Sequence, residues 1–505
     1  MDDRSSIDAK PVTPANETLS QIWARLKPYS LPFIFILFTL RSFSVPISAV
    51  PTNDSLGYMA WARAPMDSGV IAQGYRQFAY PFVISLTDQV SVIGGWDRSF
   101  GIALLQRVLL LAACGVLLWA LRYWAVPILL LITSPVYTAQ MNLLLPEGLI
   151  VPLSILSSAL AVGLLSRRPP VRGRNLWLVL SILLLSIALA TMLKIQAAVL
   201  FFVFVVVVVD QVSRQLLSKR QGIGLLGAFV AFISLLSLVQ AMENSRETGE
   251  FLPVSESARA AWWGAWQSTF TLEEGNKGNP DLAPFYDEGN LFTFLHGLEA
   301  NEPSYQKRSD EISARIRQML DQAGITPQEL RINAIAGGLV GGRIDDMRGI
   351  VNTVVREDPV VSDEWYLRNS LGRDGVTAVQ EAINDGRAFG VLTITPVVQR
   401  LATSSFDYRN WRVPLAVGSF VLLIFGLVVT GWPRHLALAG IAVVVAPALA
   451  MSSAYIDNAR YFIAPWTVAL ILAIAVAKES FVRLRGRWRD GDPASHTSSH
   501  LPQTE

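Results

Sequence analysis

Residues 146–211 read PEGLIVPLSILSSALAVGLLS, then RRPPVRGRN, then LWLVLSILLLSIALATML, then the single residue Lys194, then IQAAVLFFVFVVVVVDQ. Three apolar runs stand almost end to end, each of the length that a helix needs to cross a hydrocarbon core about 30 Å thick. The first break is basic and the second is one lysine. A chain built this way crosses a membrane repeatedly, and the turns between crossings carry its charge.

The same pattern extends in both directions. Runs of roughly 17 to 22 residues fall at 29–50, 99–121, 123–140, 146–166, 176–193, 195–211, 222–242, 413–431, 436–454 and 461–477. The expected fold class is therefore an all-α membrane protein of about ten transmembrane helices. The first run is not a removable leader, because it follows 28 mixed residues and is interrupted by Pro32, Arg41 and Pro46. Composition agrees: mean hydropathy is +0.38, 51% of residues are hydrophobic and 16% are charged, against about 25% charged in soluble domains. A formal net charge of +2 over 505 residues does not call for a nucleic-acid partner. Cys114 is the one cysteine, which excludes an intramolecular disulfide.

The net charge hides a segregation. With the N-terminus in the cytoplasm, 18 basic residues fall in cytoplasmic segments and five, Arg63, Arg76, Arg98, Lys194 and Arg460, in the short outer loops. Basic residues favour the inner side of a membrane, so this bias selects the orientation. The expected organisation is a cytoplasmic segment over 1–28, a transmembrane module over 29–242, an outer domain over 243–411, closing helices over 412–477 and a cytoplasmic polar tail over 478–505. The outer loop 51–98 is too long for a connector and is a candidate functional element. Region 243–411 holds 25 acidic and 16 basic residues and is large enough to form its own core. Helical spacing over 304–323 and 327–340, punctuated by Gly324 and Pro327, makes it mostly helical and soluble. Trp262, Trp263 and Trp266 suit either the headgroup layer or a sugar face. Gly337, Gly338, Gly341 and Gly342 lack the Lys-Ser/Thr ending of a phosphate loop.

In this threading Asp54, Glu147, Lys194, Asp457 and Arg460 emerge on one face, so separate stretches build a single polar site. Asp54 and Tyr58 are four apart, on one face if that segment is helical. Asp54 is either a helix N-cap or a functional carboxylate. Lys194 either snorkels at a helix end or meets an anion. Glu147 suits a helix N-terminus, and Arg460 either pairs with Asp457 or presents its planar fork to phosphate. No His-rich or paired-carboxylate metal site is visible.

Asp54 with Tyr58, then Arg76 with Tyr80-Pro81, then Ser134-Pro135 leading to Pro146-Glu147, and finally Arg460-Tyr461-Phe462-Ile463-Ala464-Pro465 occur in that order. This set resembles the GT-C superfamily of integral-membrane glycosyltransferases, nearest to the branch of protein O-mannosyltransferases and lipid A aminoarabinose transferases. The likeness covers roughly 29–240 and 413–477, not 243–411. It implies transfer of a sugar from a polyprenyl-phosphate carrier to a glycan, lipid or protein acceptor on the non-cytoplasmic face, with inversion at the anomeric carbon. It implies a bacterial inner membrane and a periplasmic or extracellular site. Asp54 is then the general base, and Tyr58, Arg76, Tyr80, Glu147, Lys194, Asp457, Arg460 and Tyr461 bind substrate. Several members of that family carry two adjacent acids where this chain has Asp54 between Asn53 and Ser55. A second acid from Asp67, Asp88 or Asp97 leaves a divalent ion open, with no cofactor the expectation. A transporter or flippase of a lipid-linked substrate is the alternative, and it calls for internal repeats and broken helices.

Overall fold

The computed structural model describes residues 19–43, 47, 49, 58, 62, 79–96, 100–134, 137–138, 141–167, 169–248, 250–251, 261–262, 264–265, 294–295, 297–298, 301–302, 304–340, 408–429, 431–454 and 459–490. Among these 87% are helical and none lies in a strand. The helices are α1 (Leu19–Ser42), α2 (Ala79–Ile93), α3 (Phe100–Leu121), α4 (Val126–Ile132), α5 (Glu147–Ser166), α6 (Gly173–Leu193), α7 (Phe201–Ser213), α8 (Lys219–Thr248), α9 (Tyr305–Ala323), α10 (Pro327–Leu339), α11 (Tyr408–Val428), α12 (Trp432–Ser452) and α13 (Ala459–Asp490). Among the described residues seven stretches are long and apolar enough to cross a membrane: Phe100–Ile132, Glu147–Ser166, Gly173–Leu193, Gln196–Ser213, Lys219–Val239, Trp432–Ser452 and Tyr461–Leu484. Val413–Val428 is apolar but shorter. This is a membrane-embedded helical protein.

α5 is the hub. It packs against α3, α6, α7 and α13, and 94% of its span is buried. A helix that is apolar all round belongs inside a bundle, and α5 adds Gly148, Ser154, Ser157, Ser158 and Gly163, small residues that let neighbouring backbones close in. At Gly148 a Cβ would collide with Gln106, and at Gly163 with the Trp119 ring. Both glycines therefore seat side chains of α3.

The expected span at 123–140 is broken. The chain leaves α3 through a 3-10 turn at Arg122–Ala125, with Arg122 at φ 57°, makes seven residues of α4 and ends that helix at Ile132; of residues 133–146 the structure describes 133–134, 137–138 and 141–146, the last six of them non-helical. Every described residue of that stretch is buried. Irregular backbone at membrane depth must have its polar groups met by protein, and here side chains from elsewhere do so. Arg41 donates to Leu130 O at 2.6 Å, Gln106 to Leu143 O at 3.0 Å, and Arg107 to Asn142 Oδ1 at 3.1 Å and to Ser42 O at 2.6 Å. Tyr137 shares a 2.7 Å hydrogen bond with Thr467 of α13. Arg107 is wholly buried and clamps the end of α1 to this segment.

A second, smaller core gathers Trp262, Leu295, Leu298, Ile312, Ile316, Met319, Leu320 and Leu330. Trp262 thus neither faces the headgroups nor offers its ring to a sugar; it packs on Phe294 at 5.6 Å. Trp263 and Trp266 lie outside the described residues. α10 opens with a capping box between Thr326 and Glu329 and docks on α12. Gly338 allows this, because a Cβ there would stand 2.7 Å from the Phe462 ring, and its carbonyl accepts a 2.9 Å hydrogen bond from Trp466 Nε1. The Gly337-Gly338 pair is a helix-docking point.

Candidate functional site

Three helix ends meet at one end of the bundle. Glu147 opens α5, Lys194 follows the last residue of α6 in extended backbone (φ −163°, ψ 121°), and Tyr461 lies in the first turn of α13. Lys194 Nζ binds Glu147 Oε1 at 2.7 Å and stands 4.0 Å from the Tyr461 ring centroid. A cation over an aromatic face is attracted by the ring quadrupole. The side chains of Lys194 and Glu147 are 22% and 11% exposed, so this ion pair is mostly withdrawn from solvent. Gln196, one residue beyond the start of the following turn, reaches Met451 Sδ of α12 at 3.4 Å.

Tyr80 completes the cluster from α2, which is not one of the seven spanning stretches. It is fully buried and meets Tyr58 edge to face at 5.1 Å. Burial first, then the neighbouring Tyr58 and Glu147, push its phenol well above the ordinary value, so it stays protonated. Gln106 lies beside it as a side-chain hydrogen-bond partner.

Of the residues expected to form the site, the fold therefore brings together Tyr58, Tyr80, Glu147, Lys194 and Tyr461. Arg460 precedes Tyr461 in the first turn of α13. Asp54, Arg76 and Asp457 lie outside the described residues, as do Asp67 and Asp97. Asp88 is buried in α2. Among the described residues no group of three His, Cys, Asp or Glu side chains is arranged to hold a metal.

Sequence reading passed over Gln106, Arg107 and Asn142. The signal was present, because Gln106-Arg107 interrupts the apolar run 99–121, and an ionisable residue inside a span is a functional or structural anchor by default. No family model matches the chain, and neither a curated protein nor a solved structure matches it.

Proposed function

We propose that the chain is a membrane glycosyltransferase that moves a sugar from a polyprenyl-phosphate carrier to an acceptor on the non-cytoplasmic face. The observation that supports this reading is the convergence of Glu147, Lys194, Tyr461, Tyr58 and Tyr80 at one end of the bundle, since these are residues the family resemblance singles out. The chemistry suits them. The leaving group is a phosphate, which needs a cation rather than an acid, and Lys194 supplies one at the end of a span. Glu147 holds that ammonium in place, and the protonated Tyr80 phenol is a donor for a sugar hydroxyl or phosphate oxygen. Asp54 takes the proton from the attacking hydroxyl.

Asp54→Asn tests the reading, because asparagine caps a helix about as well as aspartate but cannot act as a base. Transfer rate should fall by roughly 100-fold or more while affinity for the lipid-linked donor stays close to normal. Near-normal turnover in this variant removes Asp54 from the mechanism.

The second reading, a transporter or flippase of the same lipid-linked substrate, draws on the broken span. Buried non-helical backbone at residues 141–146 is the kind of element from which transporters build substrate sites. The two readings separate in reconstituted vesicles. A transferase releases polyprenyl phosphate from the donor, whereas a transporter moves the intact donor between leaflets.

A further inference from the structure

At the opposite end of the bundle, Val162 and Ser166 of α5, Trp432 of α12 and Ala475, Lys478, Glu479, Val482 and Arg483 of α13 enclose a cleft of about 390 Å³. Its level is set by the helices themselves. α5 ends at Ser166 and α12 begins at Trp432, so the cleft lies where apolar spans stop, at the depth of lipid headgroups, and tryptophan favours that layer. Two cations line it against one carboxylate. Arg483 Nε binds Glu479 at 3.0 Å, while the ammonium of Lys478, with three donors, gives one bond of 3.3 Å to Ala120 O.

Two further positive features bear on the same place. Arg122, in the turn after α3, acts on Lys478 as a like charge. Arg483 Nη2 lies 3.6 Å from where a Cβ on Gly431 would stand, which sets the guanidinium beside the positive end of the α12 dipole. Glu479 offsets part of this positive charge through its pair with Arg483 and its attraction for Lys478, and the cleft keeps an excess of one cation. The walls are apolar, through Val162, Ala475 and Val482, and Phe481 and Leu484 on the same turns of α13 are 54% and 51% exposed.

We propose that this cleft binds the anionic headgroup of a phospholipid, the phosphate meeting Lys478 and Arg483 and the acyl chains running along the exposed apolar side of α13. Basic pockets between spanning helices recognise anionic lipids by this combination. A free phosphate satisfies the charges but has no use for the apolar rim. The proposal stands apart from the site at the other end of the bundle and does not depend on its reading.

The test uses the full chain reconstituted into vesicles of phosphatidylglycerol and phosphatidylcholine in equal amounts, then extracted, with retained lipid counted by native mass spectrometry. The expected result is roughly tenfold enrichment of phosphatidylglycerol on the protein, falling to parity in K478Q/R483Q. R174Q, which removes an exposed charge at the start of α6, should leave the enrichment unchanged. E479Q, which removes the one carboxylate of the cleft, should raise it, and this holds the proposal to account if the double variant fails to fold. Equal retention of the two lipids, undiminished enrichment in K478Q/R483Q, an equal loss in R174Q, no rise in E479Q, or displacement of the lipid by millimolar inorganic phosphate would each overturn it.

Discussion

Lys194 and Glu147 are 47 positions apart and each looked ordinary alone, a snorkelling lysine and a carboxylate at a helix start. Paired at 2.7 Å and mostly out of water, they become interdependent. Lys194→Met leaves Glu147 charged and largely buried, which should cost about 1–3 kcal/mol, less than a fully buried pair because the lysine keeps some solvent. Glu147→Gln with Lys194→Met removes both charges and should recover most of that loss in thermal unfolding. Donor binding separates the two roles. If Lys194 holds carrier phosphate, the double variant is stable yet binds the lipid-linked sugar at least about tenfold more weakly, the scale of one lost charge-assisted hydrogen bond. Normal donor affinity in the double variant would make the pair purely structural. Lys194 and Glu147 were legible as candidates because charges at span ends are rare. Their partnership was not, because contact between two helix ends depends on how the helices pack.

At the scale of elements, the contact between α3 and α5 carries the most testable detail. Trp119 of α3 fits over Gly163 and takes the Arg167 guanidinium on its ring at 4.1 Å. Gly163→Ala gains helix propensity of nearly 1 kcal/mol but drives a methyl group into the indole, and overpacking costs about 1–3 kcal/mol. The expected net effect is a lower melting temperature with the fold retained, measured in detergent beside Gly224→Ala, where a Cβ meets open space and the same substitution should be neutral or stabilising. Equal behaviour of the two variants would mean that Gly163 does not set this contact. The break after α4 belongs to the same scale. Residues 123–140 have the hydropathy of a span, and nothing in that average reports that Arg41 and Gln106 stand ready to meet the carbonyls of Leu130 and, just beyond, Leu143.

For the whole molecule, the bias of basic residues calls for both termini and the 167–174 turn on the cytoplasmic side, with 243–411 outside. A reporter active only in the cytoplasm should therefore stay silent when fused near Glu302 and be active when fused after Arg214. Activity at Glu302 would invert the placement of the candidate site. By itself the sequence determined the membrane class, the apolar runs and the residue types gathered at their ends, because the cost of burying charge in hydrocarbon is local and is written residue by residue. Which faces of those helices meet was decided by tertiary structure alone. α5 is apolar on every side beyond its first residue, and lipid is as apolar as a protein core, so hydrophobic periodicity cannot mark the inward face. The seating of Trp119 and Gln106 on glycines, the non-helical backbone of residues 141–146, and the meeting of Lys194 with Glu147 and Tyr461 follow from packing and from the need to pair buried polar groups, conditions met only when distant stretches are brought together.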